Sequence, residues 1–212
     1  LVARGDVDKK TKEATEQLLG KAGLDSALLA TRPGHVLWTD DLDTATIVCP
    51  GLGVRRTWTQ AVFFWLAEHR FIPREQEQKA TVLLLQCGYT FTSLRAEHIM
   101  ATGDEVGWDL DAPQLQPFLS YFAAPSLDFP SRLALASGVL KNLWQRDRLG
   151  AKAQEATFRI LTALGATGEG RRVIDALLKY ADAIFGLDVM TAQAFRQAVR
   201  AWLDADRGII LP

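Results

Sequence analysis

A chain of 212 residues, 48% of them hydrophobic and 23% charged, holds enough apolar material for one sizeable domain or two small ones. Its net charge of -1 is evenly spread, with 12 basic and 12 acidic groups over residues 1 to 103 and 12 against 13 over residues 104 to 212; no global basic field marks a nucleic-acid binder, and any such contact needs a local patch. The longest apolar runs, such as "AVFFWLA", fall well short of the about 20 residues of a membrane helix, and two cysteines, Cys49 and Cys87, form neither a disulfide framework nor a zinc spacing, which points to a reducing, cytoplasmic setting.

The chain opens on "LVARGDVDKK", without an initiating Met or an apolar leader, which points to a piece of a longer polypeptide. Residues 8 to 22 have helical spacing at Ala14, Leu18 and Leu19 and predict an exposed amphipathic helix that Gly23 can end. "LDSALLA" follows as a short second helix with Asp25 as its N-cap, stopped by "TRPG". "HVLW" is too short for a helix, lies between turn signals and is β-prone, so it reads as a buried strand. "DDLDTATIV" fits a short helix, "CPGLG" a turn and "VRRT" a second strand; two strands separated by a helix predict a parallel βαβ crossover.

From Thr57 onward the pattern is helical. Thr59 can cap "TQAVFFWLAEHR", which buries Val62, Phe63 and Leu66. Pro73 starts and Gly88 ends the next helix, and "TSLRAEHIMATG" is bounded by Thr92 or Ser93 and by Gly103. Residues 104 to 117, "DEVGWDLDAPQLQP", carry turn formers and two prolines and make the best boundary between a region over 1–103 and a helical domain over 118–212. Helices are expected at roughly 113 to 123, 130 to 148, 151 to 164, 169 to 185 and 190 to 204. The stretches from Val139 and from Leu177 match at an offset of about 38 residues, as two helical hairpins of a solenoid would. Trp144, Phe158, Tyr180, Phe185, Phe195 and Trp202 fall at helical spacings and belong to the core. The fold class is therefore mainly α with a small parallel α/β portion.

Three carboxylates, Asp40, Asp41 and Asp43, crowd the end of the first strand. Their mutual repulsion is relieved either by a divalent cation between them or by solvation and helix capping. Arg55 and Arg56, beside Trp58, either contact phosphate while the indole stacks on a base, or face solvent and pair with the acids. His35, His69 and His98 have no metal spacing and read as surface residues. "GEGRR" at 168 to 172 is either an anion-binding helix start or an ordinary helix-helix turn; it lacks the ending of a P-loop.

The order helix, "LLATRPGHVLWTDDL", short helix, "GVRRTWTQAVFFWLAEHRFIPREQEQKATVLLLQCGYTFTSLRAEHIMAT", over roughly residues 22 to 102, resembles the C-terminal half of a PIN domain. In that family a strand ends in a "TDD"-like acidic turn, a short helix follows, and a second strand leads through a Thr into a long helix. The resemblance implies that Asp40 is the acid at the strand end, with Asp41 or Asp43 assisting. Asp25 is similar to the acid opening the preceding family helix, although its distance to Asp40 is a few residues shorter than usual. Thr57 matches the Thr that holds a scissile phosphate or a water. The implied activity is metal-dependent endoribonuclease cleavage of RNA in the intact parent, with Mg²⁺ or Mn²⁺ held by carboxylates, the oxygen ligands hard cations require. The family's remaining acids come from an opening strand and a later helix, and no strand-like segment precedes residue 34 to carry them. The resemblance thus implies a chain incomplete for catalysis, completed by a missing N-terminal segment, a protein partner or a second copy, since a half-sheet leaves an open edge. The other reading is a non-catalytic helical module for protein-protein interaction, in which the acidic turn only caps and solvates.

Overall fold

Helical periodicity dominates the sequence, and the computed structural model, which describes residues 7–41, 44–89, 92–125, 127–146 and 150–208, is mainly α with a small parallel α/β portion. Two compact units divide the chain, Leu1–Thr92 and Ser93–Pro212.

In the first unit, α1 (Lys9–Ala30) starts at Asp8, whose carboxylate accepts the Thr11 N–H at 2.9 Å and the Thr11 hydroxyl at 2.6 Å. This is N-capping by a side-chain oxygen. The helix kinks at Gly20, whose left-handed φ of 71° glycine alone adopts cheaply, and not at the expected Gly23. Asp25 consequently lies inside the helix, on its exposed side, and caps nothing, while Leu24, Ala27 and Ala30 turn inward. Strand β1 (Leu37–Trp38) pairs in parallel with β2 (Arg56–Thr57), Leu37 opposite Arg56 and Trp38 opposite Thr57. The Leu37 N–H donates to the Arg55 carbonyl at 2.9 Å and the Thr39 N–H to the Thr57 carbonyl at 3.0 Å. Between the strands run a π-helical turn, Thr44–Val48, and α2 (Cys49–Leu52), stopped by Gly53 at φ 65°. The predicted crossover is therefore observed.

Helices α3 (Thr59–Glu68) and α4 (Arg74–Gln86) complete the unit and pack on each other. Polar side chains occupy part of their contact: Gln60, Glu77 and Thr81 are buried, with Gln60 donating to Thr81 at 3.4 Å and Thr81 to Glu77 at 3.1 Å.

In the second unit, α5 (Ala96–Glu105) starts at Arg95 and not at Thr92 or Ser93; the buried His98 ring accepts the Arg95 N–H on Nδ1 at 3.0 Å. His98 is thus a core residue, unlike the exposed His35 and His69. Gly103 does not stop the helix. A Cβ there would lie 2.5 Å from the Trp108 indole, so glycine is what lets that ring close over the helix end. Residues 104–117 are expected to be a linker, yet Trp108, Leu110, Ala112 and Leu115 are buried. Arg146 clamps Asp104 at 2.6 and 2.8 Å, Arg159 pairs with Asp111 at 2.7 Å, and the Lys152 ammonium donates to the Gly107 carbonyl. The turn formers here shape packed turns, and the division falls earlier, between Thr92 and Ser93.

Then follow α6 (Gln116–Phe122), α7 (Phe129–Trp144), α8 (Gly150–Gly165), α9 (Gly168–Lys179), α10 (Ala181–Phe185) and α11 (Val189–Gly208). The expected helix over 169–185 is broken at Tyr180, which is exposed and lies under the Lys179 ammonium. Helix α8 packs on α9 and on α11, and α7 packs on α9 and on α5. Phe195 lies at the centre, 5.3 Å from Phe185 and edge-on to Trp144 at 6.1 Å. Arg132 is buried as well; its guanidinium donates to the Ala124 carbonyl at 2.6 Å and to the Thr167 hydroxyl at 3.3 Å.

Candidate functional site

Parallel strands bring their C-terminal ends to one side, the side on which α/β folds bind ligands. In the first unit that side carries Asp40 and Asp41, just past β1, and Thr57 and Thr59, at and just past the end of β2. Trp58 is extended, with φ -136° and ψ 164°, and makes no side-chain cap, so α3 begins with its first N–H groups needing an acceptor. Asp40 supplies it from 19 residues away. One carboxylate oxygen accepts the Thr59 N–H at 2.8 Å, and the other accepts the Thr59 hydroxyl at 2.5 Å. The Trp38 indole N–H donates to the same hydroxyl at 3.1 Å, so strand, acid and helix are joined by one network.

Asp41 acts locally. Its carboxylate accepts the Thr44 N–H at 2.6 Å while its own N–H donates to the Thr39 hydroxyl at 3.2 Å. Hydrogen bonds from the Thr44 side chain and then its backbone hold the Asp41 carboxyl below the usual carboxylate value. Asp43 lies outside the described residues. Asp25 stands on α1, and Thr57 offers its carbonyl to the Thr39 N–H. The hydroxyl that meets Asp40 belongs to Thr59, which the pattern marks only as a helix cap. A Thr two residues beyond the strand end, repeating Thr57, is the one signal that could have singled it out.

The arginines beside the strand end differ. Arg56 lies over the Trp58 ring, 5.2 Å from its centroid, and Arg55 is exposed. Burial pushes the Cys49 thiol up, against a smaller opposing pull from Arg56, which leaves it an unreactive core group. Cys87 is exposed, and both cysteines are free. In "GEGRR", Thr167 caps α9 by accepting the Gly170 N–H at 3.0 Å. Arg171 pairs with Asp206 at 2.5 Å, and Arg172 lies over Phe129. Those arginines are engaged within the fold.

Hard cations such as Mg²⁺ and Mn²⁺ require several converging oxygens. Among the described residues no three His, Cys, Asp or Glu side chains converge, and the oxygens of Asp40 already accept two hydrogen bonds from Thr59. By themselves the described residues do not fit such a cation. No helix among them is long and apolar enough to cross a membrane.

Comparison with protein-family profiles, curated proteins and solved structures finds no match to this chain.

Proposed function

We propose that the first unit is the acid-bearing, C-terminal part of a PIN-like layer that cleaves RNA within a longer polypeptide or an assembly. The observation that carries this reading is the placement of Asp40 at the C-terminal end of a strand paired in parallel with β2, joined to the first residue of α3. Two charge-assisted hydrogen bonds from Thr59, one to each oxygen, fix the orientation of that carboxylate, and each oxygen keeps a lone pair that a cation supplied with further ligands could take. The Mg²⁺ or Mn²⁺ that the reading calls for needs carboxylates beyond Asp40 and Asp41, from a further segment, a partner protein or a second copy. A reducing, cytoplasmic setting belongs to the same proposal and is supported by the two unpaired cysteines.

The test is cleavage of single-stranded RNA in Mn²⁺ by the longest natural polypeptide that carries this chain, beside its Asp40→Asn variant. The expected result is metal-dependent cleavage, with Mn²⁺ binding by calorimetry, both lost in a variant that still melts cooperatively. Cleavage unchanged in Asp40→Asn, or no Mn²⁺ uptake by the long form, overturns the reading.

A second reading, the helical interaction module, is favoured by the turn between α10 and α11. Leu187 is fully exposed there, and Val189 and Met190 are largely so, an apolar projection on an otherwise well-packed unit. If a second copy covers it, Leu187→Asp and Met190→Asp shift sedimentation from dimer to monomer; a wild-type monomer at high concentration removes that occupant.

A further inference from the structure

The C-terminal end of α3 carries an aromatic cluster that the acidic turn does not use. The Trp65 ring stacks on His69 at 4.3 Å and on Phe71 at 5.6 Å, with planes inclined by 29° and 21°. Such rings normally hide from water. Here Trp65 is 51% exposed, Phe71 is 67% exposed and His69 is exposed too. An open groove of about 630 Å³ runs beside them along α3, from Thr57 past Ala61 to His69.

The backbone is bent to build this cluster. Arg70 takes the left-handed conformation, φ 61°, and the Phe71 N–H reaches back to the Leu66 carbonyl at 2.8 Å, which turns Phe71 toward the Trp65 ring. That helix-ending position is glycine's by default, because a Cβ makes it strained. Local strain at an exposed residue marks a side chain wanted for something other than the fold. Arg70 makes no ion pair with the described residues, and it follows directly on His69 of the cluster. A cation without an ion-pair partner next to exposed rings is a local feature that an electrically neutral chain can offer a polyanion.

We propose that Trp65, His69 and Phe71 form a stacking platform for the bases of single-stranded RNA, with Arg70 on the phosphate backbone. Flat exposed rings accept any base on their faces, and a guanidinium at their edge holds the strand in place. A single strand of RNA engages both features at once, its bases on the rings and its phosphate on the guanidinium. The inference rests on the RNA-binding part of the proposed function and is independent of its cation chemistry.

The test is anisotropy of a labelled oligouridine of about twelve nucleotides, titrated with the intact chain in EDTA, for wild type, Trp65→Ala and Arg70→Gly. Trp65→Ala is expected to weaken binding roughly tenfold or more. Arg70→Gly is expected to weaken it several-fold and to lower the salt slope by about one, while raising the melting temperature as the strain is released. No damage to the fold gives that pair of opposite shifts. Wild-type affinity in both variants, no binding by wild type, or a Trp65→Ala effect confined to self-association overturns the platform. Because EDTA silences cleavage, binding that depends on the platform without Mn²⁺-dependent cleavage would sink only the nuclease reading; cleavage indifferent to both variants would sink only the platform.

Discussion

The two units differ most in what they do with their large apolar side chains. In the second, Phe118, Phe122, Leu140, Leu143, Leu161, Leu164, Leu177 and Phe195 are fully buried, and among the described residues the exposed exceptions are Tyr180 and the turn at Leu187–Met190. In the first, the buried apolar residues among those described are Leu24, Val48, Val54, Cys49 and three alanines, with no described aromatic ring among them, while Trp38, Trp65, Phe71, Leu83 and Ile47 stand more than half exposed. Helix α4 shows the inversion most plainly: Glu77 and Thr81 point inward and Leu83 outward. A two-stranded sheet with no further strand beside it among the described residues cannot supply the area that a core requires. The difference teaches that a unit with only a two-stranded sheet leaves much of its apolar surface in water, while the helical unit buries most of its own.

The largest effect should come from cutting into the finished core. Phe195→Ala removes the ring between Phe185 and Trp144 and is expected to cost about 3–5 kcal/mol, read as a shift in the urea midpoint. Leu83→Ala, a cut in the first unit, is expected to stay within about 0.5 kcal/mol. A Leu83→Ala cost above about 2 kcal/mol would break the comparison, because it would mean that Leu83 is covered in solution. Next in size is Gly103→Ala. The new methyl meets the Trp108 indole, and the expected loss is about 1–3 kcal/mol. Near-UV circular dichroism, which reports the packing of Trp108, should change with it.

The first unit can be probed through Asp40, which caps a helix far along the chain. Asp40→Ala strips the acceptor from the Thr59 N–H and hydroxyl, for an expected loss of about 1 kcal/mol, and Asp40→Asn, which keeps an amide oxygen, less. Faster amide exchange at the start of α3 would be the local signature. A loss near zero would mean that water replaces the carboxylate, and it would remove the preorganisation on which the nuclease reading draws.

Much of this was legible in the chain order of turn signals and periodicities, and the limits have physical causes. Strand β1, the crossover and β2 were readable because a β-prone run between turn formers has few other structures open to it, but β1 is not the buried strand expected: Val36 and Trp38 are exposed and Leu37 only half-buried, since the sheet has two strands and little to cover it. The helices were readable because their apolar faces repeat. What escaped notice depends on distant partners. Asp40 and Asp41 were visible as an acidic turn with two meanings, but that Asp40 caps a helix 19 residues away is set by strand register. Gly103 reads as a helix stop, and only the Trp108 ring explains why it is not one. His98 reads as a surface residue, and its burial follows from packing within the second unit. Arg70 looks like any helix-end arginine until its φ of 61° is known.

The smallest expected effect concerns acid, and it tests whether burial alone separates the two units. Asp8 and Asp41 in the first, and Asp128 and Asp188 in the second, each accept hydrogen bonds from a Ser or Thr three residues on, which hold their carboxyls below the usual value. A carboxylate whose value is lowered by folding contributes stability that is complete above its unfolded value. That stability is lost as pH falls through the folded one, because the unfolded chain then binds the proton first. These four groups therefore add nothing to a pH dependence between 5 and 8 and favour unfolding from about pH 4 downward. They are solvent-exposed and evenly divided, so amide protection factors, which set aside the slowing of intrinsic exchange by acid, should fall between pH 5 and pH 3 at the starts of the capped segments in both units alike. A fall in protection in the first unit alone would show that its caps carry a share of the stability that its thin core does not.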